Sequence, residues 1–265
     1  MYNFFIEDFE KIDEKDYLRR TVFSNIFHSI EWMKIVKKSL GLSYKVAMLK
    51  DNDKVIASIP FLAYRNFIKG SCALPLQFSG YYDTIVSDDD KIKTIILNKF
   101  FEYCLKHKLY TQIPEINLIK GHKSFSGYSI YKMKIDESSP ADEQIIARAN
   151  IKRTKEMMQN YDKCDLSCRI GGLELLDKFY FLYLQNMKEL GTPPFPKILY
   201  KEIIENFSER AKIILVEKQK HACSSSLIIK VSKTEMYTYV ISTPRLYKSG
   251  RSSHLIYMQL KRHKI

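Results

Sequence analysis

Two rhythms of apolar residues alternate along this chain. Tyr44–Lys50 and Val55–Arg65 are short, mostly apolar runs on either side of the polar turn Asp51–Lys54, a pattern that predicts a β-hairpin. Ser71–Leu76 predicts a third strand, and Gln77–Asp83 a polar and aromatic loop. Ile92, Ile95, Ile96, Phe100 and Tyr103 then recur at helical spacing. Ser87, Asp88, Asp89 and Asp90 open that helix, their acids suited to the positive end of its dipole. Ile116–Ile119 and Tyr128–Ile135 are further strand candidates, so the first half is expected to be α+β with a hairpin-rich sheet.

The second half follows a similar order. Ser139 and Pro140 mark a boundary and open a basic helix that runs to about Asn160. A helix over Glu174–Leu190 carries Leu176, Tyr180, Tyr183, Met187 and Leu190 on one face. Gly191 is expected to cap it in the left-handed conformation, and Pro193 with Pro194 forbids its continuation. A third helix is expected over Lys197–Phe207, then a meander of Ala211–Glu217, Cys223–Val231 and Thr234–Ile241. The loop Ser242–Arg251 leads into a final helix from Ser252. Each half thus has helical material, a hairpin, another strand, a polar loop and a helix, which suggests internal duplication. The expected domains are residues 1–137 and 138–265.

Composition narrows the class. The 265 residues are 45% apolar, 28% charged and 13% aromatic, enough for a packed core and too little polarity for disorder. Apolar runs such as Val55–Tyr64 fall short of the ~20 residues that a bilayer span needs. The N-terminus has no positive leader and carries acids early, so the expected location is the cytoplasm, with the inner membrane surface within reach. Among five cysteines, Cys164 and Cys168 lack CxxC spacing and have no second pair to complete a zinc site, which points to reduced thiols. Six scattered histidines form no HExxH, so no catalytic metal is expected. The net charge of +13 favours polyanionic partners such as nucleic acid, anionic lipid or phosphorylated ligands, although a lysine excess also simply solvates a surface.

Particular stretches sharpen this. Phe27–Trp32, Ile56–Phe61 and Ala73–Phe78 in the first half, with Asn150–Arg153, Phe179, Tyr180 and above all Gly191–Lys197 in the second, resemble the FemAB-like branch of the GNAT acyltransferase superfamily. The resemblance implies an α/β (α+β) chain of two tandem GNAT-like domains. It implies transfer of an acyl or aminoacyl group from acyl-CoA or aminoacyl-tRNA to an amine of a cell-wall or surface-polysaccharide precursor. Peptidoglycan members of the family use aminoacyl-tRNA, which makes tRNA a further expected partner. No tightly bound cofactor is implied. Two departures stand out: no sustained heptads mark an inserted helical arm, and the chain ends at Lys261–Ile265, within or just after the helix that follows the loop. The second domain is therefore expected to be incomplete, with an exposed edge at Thr234–Ile241 through which copies could associate.

GNAT enzymes hold the donor pyrophosphate on backbone amides where a loop enters a helix. The equivalent stretch is Tyr247–Ser252, in which Gly250 permits close approach, Lys248 and Arg251 offer charge, and Ser252 can cap the helix. The plain alternative is a loop into a capped helix. Arg148, Lys152 and Lys155, beside Arg153, share a helix face suited to phosphates or to water. Asp83, after the aromatic loop, and Glu31, three residues from His28, are the candidate bases for an amine nucleophile. Tyr237 and Tyr239 fall on one strand face and are candidates to line the acyl site, with a buried aromatic face as the plain alternative. Trp32 reads as a core anchor. No Ser-His-Asp or Cys-His spacing favours a covalent intermediate, so direct attack by the amine is expected. The alternative function is a non-catalytic polyanion or nucleic-acid binder, or an inactive fragment of the family.

Overall fold

The computed structural model describes residues 2–13, 17, 26–52, 54–76, 78, 84–87, 89–113, 166–230 and 236–242. They fall into two compact units, one holding the residues up to 113 and the other those from 166 onward. The boundary expected at 137/138, the strand candidates after Ile113, the basic helix and everything after Ser242 lie outside the described residues.

The first unit is a four-stranded antiparallel sheet in the order β1 (Asn3–Asp8), β2 (Tyr44–Asp51), β3 (Lys54–Asn66) and β4 (Gly70–Pro75). Helix α1 (Ile30–Leu40) precedes the hairpin. Ser29 starts it by accepting the Trp32 amide at 3.1 Å, and Gly41 ends it at φ 68°, where a side chain would be strained. Trp32 is fully buried edge-on against Phe27, the anchor expected of it. Helix α2 (Asp90–Lys106) is capped by Asp89, whose carboxylate accepts the Lys91 amide at 2.8 Å. Its buried stripe of Ile96, Leu97, Phe100 and Cys104 joins Ala47, Leu49, Ala57, Ile59 and Phe61 of the sheet in one core.

The second unit repeats this plan as β5 (Leu166–Gly171), α3 (Leu176–Leu190), α4 (Lys197–Phe207), β6 (Ala211–Lys218), β7 (His221–Lys230) and β8 (Met236–Ser242). Its sheet order is β5-β6-β7-β8, again antiparallel throughout. The repetition reaches single residues. Two-residue turns close the hairpins at Asp51↔Lys54 and Lys218↔His221, and each is followed by a bulge in which Ile56 or Cys223 is the extra residue. One constant shift in numbering carries Asp51, Lys54 and Ile56 onto Lys218, His221 and Cys223. A bulge recurring at one hairpin position is the mark of two copies of one unit.

Helix α3 departs from expectation. A 3-10 turn over Leu173–Leu175 precedes it, and its buried residues are Leu176, Phe179, Leu182 and Tyr183, while Leu190 is exposed. The expected stripe and this one differ by a small rotation. The rotation is decided by Phe179 and Leu182, which have no polar atom to satisfy, whereas the Tyr180 hydroxyl turns outward to donate to the Phe195 carbonyl at 3.0 Å. Gly191 caps the helix at φ 64°, as expected. Glu217 of β6, almost fully buried, ties the layers together through Lys178 of α3 at 2.6 Å and Arg169 of β5 at 3.9 Å.

Candidate functional site

The ladder between β7 and β8 breaks at one point. Ser225↔Ser242, Ser226↔Ile241 and Leu227↔Val240 pair in step, but the next pair is Ile228↔Thr238. Tyr239, between Thr238 and Val240, is the extra residue of the bulge. A bulge takes its residue out of the regular ladder, bends the strand and re-aims the side chains beside it. Among the described residues β8 is also the outermost strand of its sheet, so this break lies on an edge.

An aromatic wall surrounds the break. Tyr237 and Tyr239 are half-buried, with ring centroids 6.3 Å apart and planes at 70°. Tyr200 of α4 is fully buried, edge-on to Tyr183 at 5.1 Å and to Phe179 at 5.2 Å, with Tyr180 at 6.1 Å. Burial, then the neighbouring phenols including those of Tyr183 and Tyr239, hold the Tyr200 hydroxyl far above the ordinary phenol range. It therefore stays protonated and neutral at any physiological pH. The loop between α3 and α4 is clamped to this wall: the Phe195 amide donates to the Tyr183 hydroxyl at 2.9 Å while its carbonyl accepts from Tyr180. This loop is part of the Gly191–Lys197 stretch singled out in the sequence.

Hydroxyls accumulate beneath the wall. Ser224, Ser225, Ser226 and Ser242 are completely buried. Ser224 donates to the Ser242 carbonyl at 3.3 Å, but the hydroxyls of Ser225, Ser226 and Ser242 have no hydrogen-bond partner among the described residues. Each such buried hydroxyl costs ~1–3 kcal/mol. Strand alternation puts Ser225 and Ser242 on the face of Tyr237, and Ser226 on the opposite face beside Ile214, Val216 and Ile228. The face with the tyrosines thus combines apolar rings, neutral donors and a gap in the ladder. Such a surface can hold a short chain and polarise a carbonyl.

Of the residues picked out in the sequence, Tyr239 and Tyr237 sit in this arrangement. Glu31 lies in the other unit, partly exposed in the first turn of α1, where its charge complements the helix dipole. His28, its neighbour in sequence, is buried in a 3-10 turn, and its carbonyl accepts the Tyr17 hydroxyl at 2.9 Å. Asp83, Arg148, Lys152, Lys155, Lys248, Gly250, Arg251 and Ser252 lie outside the described residues. The bulge, Tyr200 and the serines escaped the sequence reading, in which Tyr183 figures only as part of a helix face. Only the run of three serines inside an apolar strand could have flagged the place. Cys104, Cys168 and Cys223 are poor nucleophiles: burial pushes Cys104 up to about 12, Cys168 to about 11 and Cys223 in the same direction. Among the described residues no group of three His, Cys, Asp or Glu could hold a metal ion, and no helix is long and apolar enough to cross a membrane. The first unit carries a separate groove of about 630 Å³ lined by Phe9, Glu10, Ile12, Ile30, Lys34, Lys37 and Lys38.

No family model matches the sequence, and no curated protein matches it. Solved structures do match by shape. FemX aligns over 96% of this chain and 85% of its own at 11% identity, with a TM-score of 0.63. A conserved protein of unknown function from Bacteroides thetaiotaomicron aligns over 99% and 86% at 9% identity, with a TM-score of 0.57. The C-terminal domain of a protein assigned as a lysylphosphatidylglycerol synthetase, from Agrobacterium fabrum, aligns over 94% and 73% at 9% identity, with a TM-score of 0.53. At these identities the likeness establishes the fold alone: α+β, with two four-stranded antiparallel sheets, as in FemX.

Proposed function

We propose that this chain is an acyltransferase that moves an acyl or aminoacyl group from acyl-CoA or aminoacyl-tRNA to an amine of a cell-wall or surface-polysaccharide precursor. The observation that carries this reading is the bulge at Tyr239, set in an aromatic wall on a strand that ends at Ser242, four residues short of the Tyr247–Ser252 stretch in sequence. A backbone amide beside the bulge polarises the donor's carbonyl in the transition state, and Tyr237 and Tyr239 line the acyl chain. Lys248, Gly250, Arg251 and Ser252 take the donor's phosphates, and Arg148, Lys152 and Lys155 take those of a tRNA or a nucleotide-linked precursor. The acceptor nitrogen attacks the carbonyl carbon and an amide C–N bond forms. The C–S or C–O bond to the donor breaks, and the thiol or ribose hydroxyl leaves with a proton that the amine gave up. A general base receives that proton first. Lysylphosphatidylglycerol, for which one protein of this fold is named, is by its chemistry an aminoacylated lipid, which supports the aminoacyl branch.

The test is acylation of amine acceptors by the purified full chain, with acyl-CoA and aminoacyl-tRNA donors tried in parallel. Gly250→Val is expected to weaken donor binding about tenfold or more, ~1.4 kcal/mol, while melting is unchanged, because a side chain there blocks backbone approach. Unchanged donor affinity in that variant rejects the assignment of the loop, and no acylation with either donor rejects the enzyme.

A second reading draws on the net charge of +13 and on the groove in the first unit lined by Lys34, Lys37 and Lys38. It makes the chain a polyanion binder without catalysis. Salt titration separates the two: six or more phosphate contacts predict RNA affinity falling ~10³-fold or more between 50 and 200 mM salt. A flat response removes this reading.

A further inference from the structure

The turn between β3 and β4 presents two large apolar side chains that touch almost nothing. Phe67 is 109% exposed and Ile68 94% exposed, against values near zero for the core of the same unit. They project because the turn is built rigidly. The Asn66 carboxamide oxygen accepts the amides of Ile68 at 2.8 Å and Lys69 at 3.0 Å, and Gly70 supplies the left-handed residue at φ 73° that returns the chain. Lys69 donates to the Tyr110 hydroxyl at 2.9 Å and lies over that ring at 4.1 Å. Tyr110 in turn is fixed to the base of the turn, its amide donating to the Ser71 carbonyl and its carbonyl accepting the Ala73 amide, both at 2.8 Å.

That last tie brings the C-terminal end of α2 to the same end of the unit. Leu105 there is 74% exposed, and Lys106, His107 and Lys108 beside it are exposed as well. Neither Arg65–Ser71 nor Tyr103–Ile113 contains an acidic residue. This end of the unit therefore combines a stiff convex apolar tip, a collar of Arg65, Lys69, Lys106 and Lys108, and two partly buried tyrosines, Tyr64 and Tyr110, at its base.

We propose that the β3–β4 tip is a membrane-docking wedge: Phe67 and Ile68 enter the headgroup boundary of an anionic bilayer while the collar meets lipid phosphates. The charge selects anionic lipid, each surface lysine or arginine adding to the attraction, and the apolar pair adds burial. Tyrosines at the base fit the polar boundary of a bilayer. A protein interface is a poorer fit, because such contacts bury a broad, complementary patch, whereas these side chains stand on a narrow convex turn. The inference rests on the first unit alone and is independent of the proposed chemistry in the second.

Sedimentation of the full chain with large vesicles tests it, using phosphatidylcholine alone or mixed with phosphatidylglycerol. The chain is expected to pellet with the mixed vesicles and to lose affinity about tenfold or more in the double variant Phe67→Ser, Ile68→Ser. The triple variant Arg65→Gln, Lys106→Gln, Lys108→Gln is expected to lose its preference for the mixed vesicles. Both variants change exposed side chains and should melt as the wild type does. In Phe67→Trp, emission is expected to shift to the blue on adding mixed vesicles, over a constant background from buried Trp32. Failure to bind mixed vesicles overturns the proposal, as does binding undiminished in the double variant. A dimer that dissociates in the double variant, with no vesicle binding by wild type, overturns it in favour of a contact between copies.

Discussion

Ser225, Ser226 and Ser242 carry hydroxyls buried without a partner among the described residues, on a strand pair that could have been wholly apolar. Removing such a group returns its desolvation cost, so Ser226→Ala is expected to raise stability by about 1 kcal/mol and leave transfer intact, because Ser226 points away from the tyrosine face. Ser225→Ala is expected to bring a similar gain in urea unfolding but to lower transfer. Equal activity in the two variants would detach the serines from the site. A second residue speaks to pH. Burial holds the Cys104 thiol at about 12 against an ordinary value of 9.0. A raised folded pKa means that the folded state keeps a proton which the unfolded chain releases. The contribution is complete below about pH 9 and is lost as pH rises toward 12, at up to ~1.4 kcal/mol per pH unit. Urea midpoints measured from pH 8 to 11 should fall more steeply in the wild type than in Cys104→Ala, and parallel curves would contradict the burial argument.

Hairpins and capped helices were legible in the sequence because their signals are local. Asp51–Lys54, the stripe of α2, and Gly191 before two prolines each declare themselves within a few residues. Strands β1 and β5 were not legible: Asn3–Asp8 and Leu166–Gly171 lie at sheet edges, mix polar with apolar residues, and owe their conformation to the ladder with β2 or β6. The face of α3 was ambiguous for a related reason, since tyrosines count as apolar until their hydroxyls find partners. The site was the least legible part, because a bulge is a property of register between two strands and Tyr239 alone does not reveal it. One strained element offers a test at this scale. The turn of the β6–β7 hairpin places Gln219 at φ 49° and Lys220 at φ 66°, a conformation that favours Asn-Gly. Replacing the pair by Asn and Gly is expected to stabilise the protein by about 1 kcal/mol and to raise its melting temperature by about 2–4 °C. An unchanged or lower melting temperature would mean that the turn is held by contacts beyond its own backbone.

For the whole molecule, the repeated plan explains how a site can be confined to one copy. Both units have the same sheet order and the same hairpin bulge, but the break at Tyr239 belongs to β8, and the β3–β4 ladder pairs without interruption from Phe61↔Pro75 to Asn66↔Gly70. The first copy keeps a continuous β3–β4 ladder and an apolar, basic tip, while the second has the interrupted β7–β8 ladder lined by tyrosines. Transfer in this reading therefore depends on the bulge. Deleting Tyr239 alone should let β8 pair with β7 in regular register, since the residues on both sides already have partners. The deletion variant is expected to fold, with a melting temperature near that of the wild type, and to lose transfer from its donor by ~10²–10³-fold, the cost of removing one preorganised donor to a developing oxyanion. Tyr239→Phe, which keeps the bulge, is expected to retain most activity. Transfer undiminished in the folded deletion variant would show that the acyl group is held elsewhere.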